Sequence, residues 1–168
     1  TLNGQAYVFG GLTAQAYMND LLRYDPASNT WTTMASLPGA PRKNMFAFTA
    51  TGKAYVGAGV NPNDGELSDT WEYDPLTDSW AARAPYPFAS YSLSSFSIGD
   101  TGYVGLGGTV QSQTVVVTSE FFAYSPATDA WVPRASLPSS PRLLAVGFAI
   151  NGKGYAGTGG NNDIGGTP

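Results

Sequence analysis

The 168-residue chain is 42% hydrophobic and 13% aromatic but only 12% charged, about half the usual charged share of a globular domain, so it reads as one core-forming domain and not as a disordered chain. Eight basic and twelve acidic residues give a net charge of −4 with no block of either sign, which excludes nucleic acid as a partner, because neutralising phosphates takes clustered Lys and Arg. Zero cysteine and zero histidine exclude disulfides, thiolate nucleophiles, a Ser-His-Asp triad and the usual copper or catalytic zinc sites.

Twenty-one glycines and twelve prolines lie scattered between short apolar runs, a pattern that predicts many short strands joined by tight turns and hence an all-β fold. No apolar run reaches the roughly 18 to 20 residues of a membrane-spanning helix, so no membrane insertion is expected. Thr1 opens directly onto a strand pattern without a basic and apolar leader, so any targeting segment is expected to have been removed or to lie outside this sequence. The low charge and the abundance of Thr, Ser, Ala and Gly suggest a bacterial secreted or cell-surface protein.

In chain order, the first predicted strand carries Tyr7 and ends at Gly10-Gly11, the loop 12–19 follows, and Tyr24-Asp25-Pro26 leads to Trp31. Residues 45–50 alternate aromatic and small side chains and predict a strand, the Gly52 turn follows, and residues 53–57 form the next strand. A long loop, 60–68, precedes a strand at 70–74, and the Asp74-Pro75 turn leads into a strand around Trp80. Asp before Pro suits such a turn, because the carboxylate caps it while the ring fixes φ. The third unit carries Tyr103, Gly107-Gly108, the loop 109–119, and Tyr124-Ser125-Pro126 with Trp131; Ser125 is a weaker cap than Asp, and its turn is expected to survive. Strands at 144–150 and 153–160 close the series.

These landmarks repeat. Tyr7, Tyr55, Tyr103 and Tyr155 stand 48, 48 and 52 residues apart. Tyr24, Tyr73 and Tyr124 each have Pro two positions on and Trp seven positions on, and each follows an acid by four: Asp20, Asp69 and Glu120. Pro38, Pro87 and Pro138 stand seven after each tryptophan. Four short strands per period near 50 residues, a glycine doublet (Gly10-Gly11, Gly107-Gly108, Gly159-Gly160) and the Tyr–Trp spacing resemble the kelch repeat of β-propellers. The family's Pro-Arg pair appears as Pro41-Arg42 and Pro141-Arg142. The second unit departs with Ala58-Gly59 for the doublet, and the third with Pro87-Phe88 where Pro-Arg is expected.

The resemblance implies four-stranded blades packed face to face, with the repeated Tyr, Trp and Gly as structural residues. It divides the single domain into a partial blade at 1–40, blades at 41–86 and 87–137, and a partial blade at 138–168, about three and a quarter blades of three, four, four and two strands. Closed propellers have four to eight blades. Either the chain is part of a longer propeller, or chains associate, with the innermost strand at 144–150 completing the strand-deficient first blade of a neighbour to give a dimer, or propagating into a filament.

Loops after the second and fourth strands of a blade share one end of a propeller. The second-strand loops, 12–19, 60–68 and 109–119, differ in length and content, which makes that end the expected recognition face. Its candidate ligand-binding residues are Tyr17, Asn61, Asn63, Asp64, Gln111 and Gln113, with Arg42, Tyr91 and Arg142 nearer the axis. Arg42 and Arg142 either bind a carboxylate or tie neighbouring loops together. Asn61, Asn63, Asp64 and Glu66 form the densest oxygen cluster, with Asn162-Asp163 at a comparable place; lacking EF-hand spacing, they read as a solvated loop and not as a calcium site. No phosphate-binding loop or nucleophile elbow occurs. No cofactor, metal site or catalytic residue is expected.

The resemblance admits interaction modules as well as galactose oxidase-like and sialic acid epimerase-like enzymes. Copper oxidase chemistry needs histidine ligands and a cysteine-linked tyrosine, and the chain has neither His nor Cys. The expected function is therefore non-catalytic binding of a protein partner or self-association; the alternative is carbohydrate binding or epimerase-like processing, with a glycan as ligand.

Overall fold

The computed structural model describes residues 1–161. Among them every regular element is a β-strand, and all pairings between named strands are antiparallel. The first sheet contains β1 (Ala6–Leu12), β2 (Tyr17–Asp25) and β3 (Thr30–Met34). In the next, β4 (Phe46–Ala50) and β5 (Lys53–Gly57) are followed by a small hairpin, β6 (Val60–Asn61) and β7 (Gly65–Glu66), before β8 (Thr70–Asp74) and β9 (Ser79–Arg83) complete the sheet. The third repeats this order: β10 (Ser94–Ile98), β11 (Thr101–Gly105), the hairpin β12 (Gly108–Gln111) and β13 (Thr114–Val117), then β14 (Phe121–Ser125) and β15 (Ala130–Arg134). The strands β16 (Val146–Ile150) and β17 (Lys153–Gly157) pair as the last sheet. The expected sheets of three, four, four and two strands are all present.

Turn chemistry sets these boundaries. Asp25 and Asp74 each accept the backbone N–H two residues on, at 2.9 Å, through a carboxylate oxygen. At Ser125 the turn survives, closed by the Thr128 N–H on the Ser125 carbonyl at 3.3 Å. Strand register then stacks the aromatic pairs inside each sheet: Phe48 lies opposite Tyr55 with ring centroids 5.1 Å apart, Phe96 opposite Tyr103 at 5.4 Å, and Phe148 opposite Tyr155 at 5.3 Å.

Neighbouring sheets are joined by a device that occurs twice. Trp80 donates its indole N–H to the Ala35 carbonyl at 2.8 Å, while Asp78 accepts the Ala35 N–H at 2.9 Å and the Tyr73 hydroxyl at 2.8 Å. One sheet later Trp131 donates to the Ala84 carbonyl at 2.9 Å, and Asp129 accepts the Ala84 N–H at 2.9 Å and the Tyr124 hydroxyl at 2.7 Å. Each Trp–Asp pair thus grips the backbone just beyond the last strand of the preceding sheet. In the first sheet Trp31 has no such neighbour and is 56% exposed. The last sheet leaves Val146, Phe148 and Ile150 about half exposed. Burial is complete where a sheet is flanked on both sides: Tyr55, Tyr73 and Tyr124 are each 0% exposed.

Two expectations change. The loops 60–68 and 109–119 are not irregular: each folds into a short hairpin, because Asn61 caps its own turn and Thr109–Gln111 alternates with Thr114–Val116 across a turn at Ser112-Gln113, both at positive φ. The equivalent of Arg42 in the third unit is Ser90 and not Phe88. Asn44, Ser92 and Leu144 share the positive φ that precedes each innermost strand, and counting back two places gives Arg42, Ser90 and Arg142. The segment after Trp80 is one residue shorter than after Trp31 or Trp131.

Close approach between sheets also fixes glycine. A Cβ on Gly102 stands 2.2 Å from the Phe48 ring, and one on Gly154 stands 2.1 Å from the Phe96 ring. Gly157, with open space around it, is the control. Gly102→Ala is expected to cost about 1–3 kcal/mol through overpacking, read as a lower urea midpoint, and Gly157→Ala to leave the midpoint within error; equal effects of the two would remove the packing role of Gly102.

Candidate functional site

The variable loops meet at one end of the stacked sheets because the segment entering each innermost strand is clamped between two of them. Arg42 exchanges backbone hydrogen bonds with the first loop region, its N–H to the Met18 carbonyl and its carbonyl from the Gly11 N–H, while Lys43 bridges to Val60 in the next. Ser90 receives the Gly59 N–H and donates to the Leu67 carbonyl, and Tyr91 bridges to Gly108. Arg142 accepts from the Gly107 N–H, and Leu143 bridges to Gly160. Backbone bonds therefore fix this end, and side chains on the hairpins project from a rigid base.

The candidate residues divide into committed and available groups. Arg42 is 1% exposed: its guanidinium pairs with Asp69 and donates to the Ala40 and Ala58 carbonyls, so it ties loops together as the second of its two readings held. Asp69, one of the repeated acids, is the partner of that arginine and also accepts the Trp71 indole N–H at 2.7 Å. Asn61 is 3% exposed, donates to Asp64 at 3.0 Å and accepts the N–H groups of Asn63 and Asp64, so its side chain builds the turn on which exposed Asn63 and Asp64 sit. Tyr91 is 7% exposed. Tyr17 is half-buried under the Lys43 ammonium, 5.7 Å from the ring centroid. Arg142 donates to the Ser140 and Thr158 carbonyls at 3.2 Å and to the Ser139 hydroxyl at 2.8 Å. Gln111 and Gln113 are exposed on the β12–β13 hairpin. Asn162 and Asp163 lie outside the described residues, among which no cluster of three or more acidic side chains is placed to hold a metal ion.

A cavity of about 560 Å³ opens between the β12–β13 hairpin and the segment 87–90. The sequence reading missed it, since it depends on the Ser90 register. Pro87, Phe88, Val116 and Val117 give it apolar walls, and Ser90, Gln111, Thr118 and Glu120 supply polar groups.

Four-stranded antiparallel sheets stacked face to face through aromatic layers define the chain as an arc of β-propeller blades. It belongs to the kelch-repeat family: a kelch motif model matches residues 1–38, and kelch-like protein 35 of Mus musculus is 37% identical over 146 residues, 86% of this chain and 24% of that protein. N-acetylneuraminate epimerase of Yersinia enterocolitica is 34% identical over 93 residues, covering 50% of this chain and 23% of its own length. The chain thus spans about a quarter of these two relatives. The solved structure of YjhT superposes with a TM-score of 0.72 at 20% identity over 90% of this chain and 55% of the other, a likeness of fold.

At the opposite end one polar cluster was not foreseen. Glu72, 6% exposed, accepts the Lys53 ammonium at 2.7 Å, the Tyr55 hydroxyl at 2.8 Å, and both Nε and Nη2 of Arg83 at 3.0 and 2.8 Å. Burial pushes its carboxyl up, but the hydrogen bonds from Arg83, Lys53 and Tyr55 outweigh it and hold the pKa at about 2. Desolvation drives the Tyr55 hydroxyl up to about 12, so it stays a donor. Glu72 binds its proton more weakly folded than unfolded, so its stabilisation is complete above the ordinary carboxylate range and is lost as pH falls toward 2. Glu72→Gln is expected to lower Tm at pH 7, with the gap to the wild type closing between about pH 4.5 and pH 2; a gap constant with pH would mean that the carboxylate charge contributes nothing.

Proposed function

We propose that this chain is a non-catalytic binding module whose partner protein is recognised by the variable-loop face. One observation carries the reading: the blades are nearly constant in their aromatic packing and turns, while the hairpins inserted after the second strands differ in length and project exposed Asn63, Asp64, Gln111 and Gln113 from a backbone-clamped base. Variable loops on a rigid scaffold are where recognition resides. Kelch-repeat propellers are generally protein-interaction modules, which supports a protein partner. A location outside the cell or at its surface belongs to the same proposal.

The half-exposed apolar flanks of the first and last sheets favour association with further blades, from the same protein or from a second copy of this chain. The second reading, binding or processing of a carbohydrate, draws on the relative named N-acetylneuraminate epimerase.

Three measurements separate these. Immobilised chain is exposed to extracts of the source cells and captured proteins are quantified; a partner should be lost at least tenfold on combining Asn63→Arg, Gln111→Arg and Gln113→Arg, and kept with Thr77→Arg and Thr128→Arg at the far end. The reverse pattern would move recognition to the other face. Light scattering over a concentration series should show growth beyond a monomer, and a monomer throughout removes self-association. Specific, tight sugar binding on a glycan array would select the carbohydrate reading.

A further inference from the structure

The blades carry an internal comparison. In the second sheet's unit, Arg42 fills the space between the segment entering the innermost strand and the loop that follows β5, where its guanidinium meets the Asp69 carboxylate and the Ala58 carbonyl. In the last unit Arg142 reaches the corresponding Thr158 carbonyl at 3.2 Å. Between them the arginine is replaced by Ser90, whose side chain is too short to cross the same gap. The acid is retained: Glu120, immediately before β14, stands where Asp69 precedes β8, and both receive the same backbone bond, from Leu106 to Glu120 and from Ala58 to Asp69, each 2.9 Å.

The result is the cavity of about 560 Å³ described above. Among the described residues the Glu120 carboxylate accepts only the Thr118 hydroxyl, at 3.3 Å, and no cation pairs with it. Pro87, Phe88 and Val116 form apolar walls suited to an alkyl stem.

We propose that this cavity takes an arginine side chain from a partner polypeptide, which supplies in trans the guanidinium that Arg42 supplies in cis one blade earlier. Guanidinium is the group the fold pairs with the equivalent acid, and its planar fork suits a carboxylate. A polypeptide is the source because the cavity opens beside the β12–β13 hairpin, on the face proposed above to bind a protein; the inference rests on that reading and refines it.

The test is an amide NMR titration of the ¹⁵N-labelled chain with N-acetyl-arginine methylamide, an arginine residue with a peptide bond on either side, against the same compound built on citrulline, its uncharged isostere. Arginine is expected to shift Ser90, Thr118 and Glu120, and citrulline to bind at least tenfold more weakly. Glu120→Gln should weaken arginine binding at least tenfold. Ser90→Arg should abolish it and raise Tm, because the pair closes internally. Equal shifts from arginine and citrulline, or none, overturn the proposal, as does undiminished binding to E120Q. Agmatine binding tenfold more tightly than the peptide-like probe would assign the cavity to a free small molecule and overturn the polypeptide occupant. If S90R does not fold, E120Q still decides. Loss of partner capture in the triple-arginine variant alongside a failed titration would keep the loop face and discard only the arginine pocket.

Discussion

A sheet of four five-residue strands has two faces and too little area to bury either by itself, so each blade depends on the blades beside it. In this chain that dependence is concentrated in one repeated contact, a tryptophan and the aspartate two residues before it gripping the N–H and carbonyl of a single residue in the preceding sheet. The indole and carboxylate together satisfy both polar groups of one partly exposed backbone unit, each hydrogen bond contributing about 0.5–1.5 kcal/mol. The same tryptophan ring packs on the tyrosine of its own sheet, 4.9 Å between centroids in both whole blades, so hydrogen bonding and aromatic packing are locked to one geometry. Stability of such an array is nearest-neighbour in character, and the exposed flanks at its two ends follow directly.

The repeat was legible because the same packing problem recurs at each blade and admits few answers. Tyr and Trp supply the area, Pro ends strands, and Gly59, Gly107 and Gly159 stand at positive φ where a Cβ would meet a backbone carbonyl of the segment entering the innermost strand, so all four appear at near-fixed spacing. Asp78 and Asp129 have equally fixed spacing, two before each tryptophan, yet an aspartate in a turn is explained by turn chemistry alone, and its bond to the neighbouring sheet could not be seen without coordinates. The hairpins β6–β7 and β12–β13 escaped because each is only two to four residues per strand and rests on a local cap, Asn61, or a positive-φ pair, Ser112-Gln113, instead of a hydrophobic pattern.

The candidate site was legible in its location and less so in its members. Loop variability located the face, but it weights every polar residue there equally, whereas the fold spends some of them on itself. Asn61 and Arg42 are nearly fully buried and engaged with their own loops, while Asn63, Gln111 and Gln113 remain on the surface. The cavity beside Ser90 could not have been found by matching motifs, since Pro87-Phe88 invites the wrong alignment. Only strand register shows that one residue is missing after Trp80 and that the arginine position has become a serine.

The two ends of the blades differ in what a substitution would disturb. At the end that carries the turns into β9 and β15, Asp78 and Asp129 belong to the contact between sheets, and Glu72 is committed to four donors on three residues, so change there perturbs stacking. At the other end the backbone clamps between loops and innermost strands use main-chain groups, so side chains not engaged in holding their own loops, as Arg42 and Asn61 are, can vary without disturbing the clamps. Replacement of the arginine by Ser90 illustrates this freedom: the clamps on either side keep the same pattern as at Arg42, and the lost side chain leaves space and an acid in place of a collapsed sheet. A scaffold held at its surface loops by backbone bonds can therefore exchange the groups it presents while conserving the geometry that presents them.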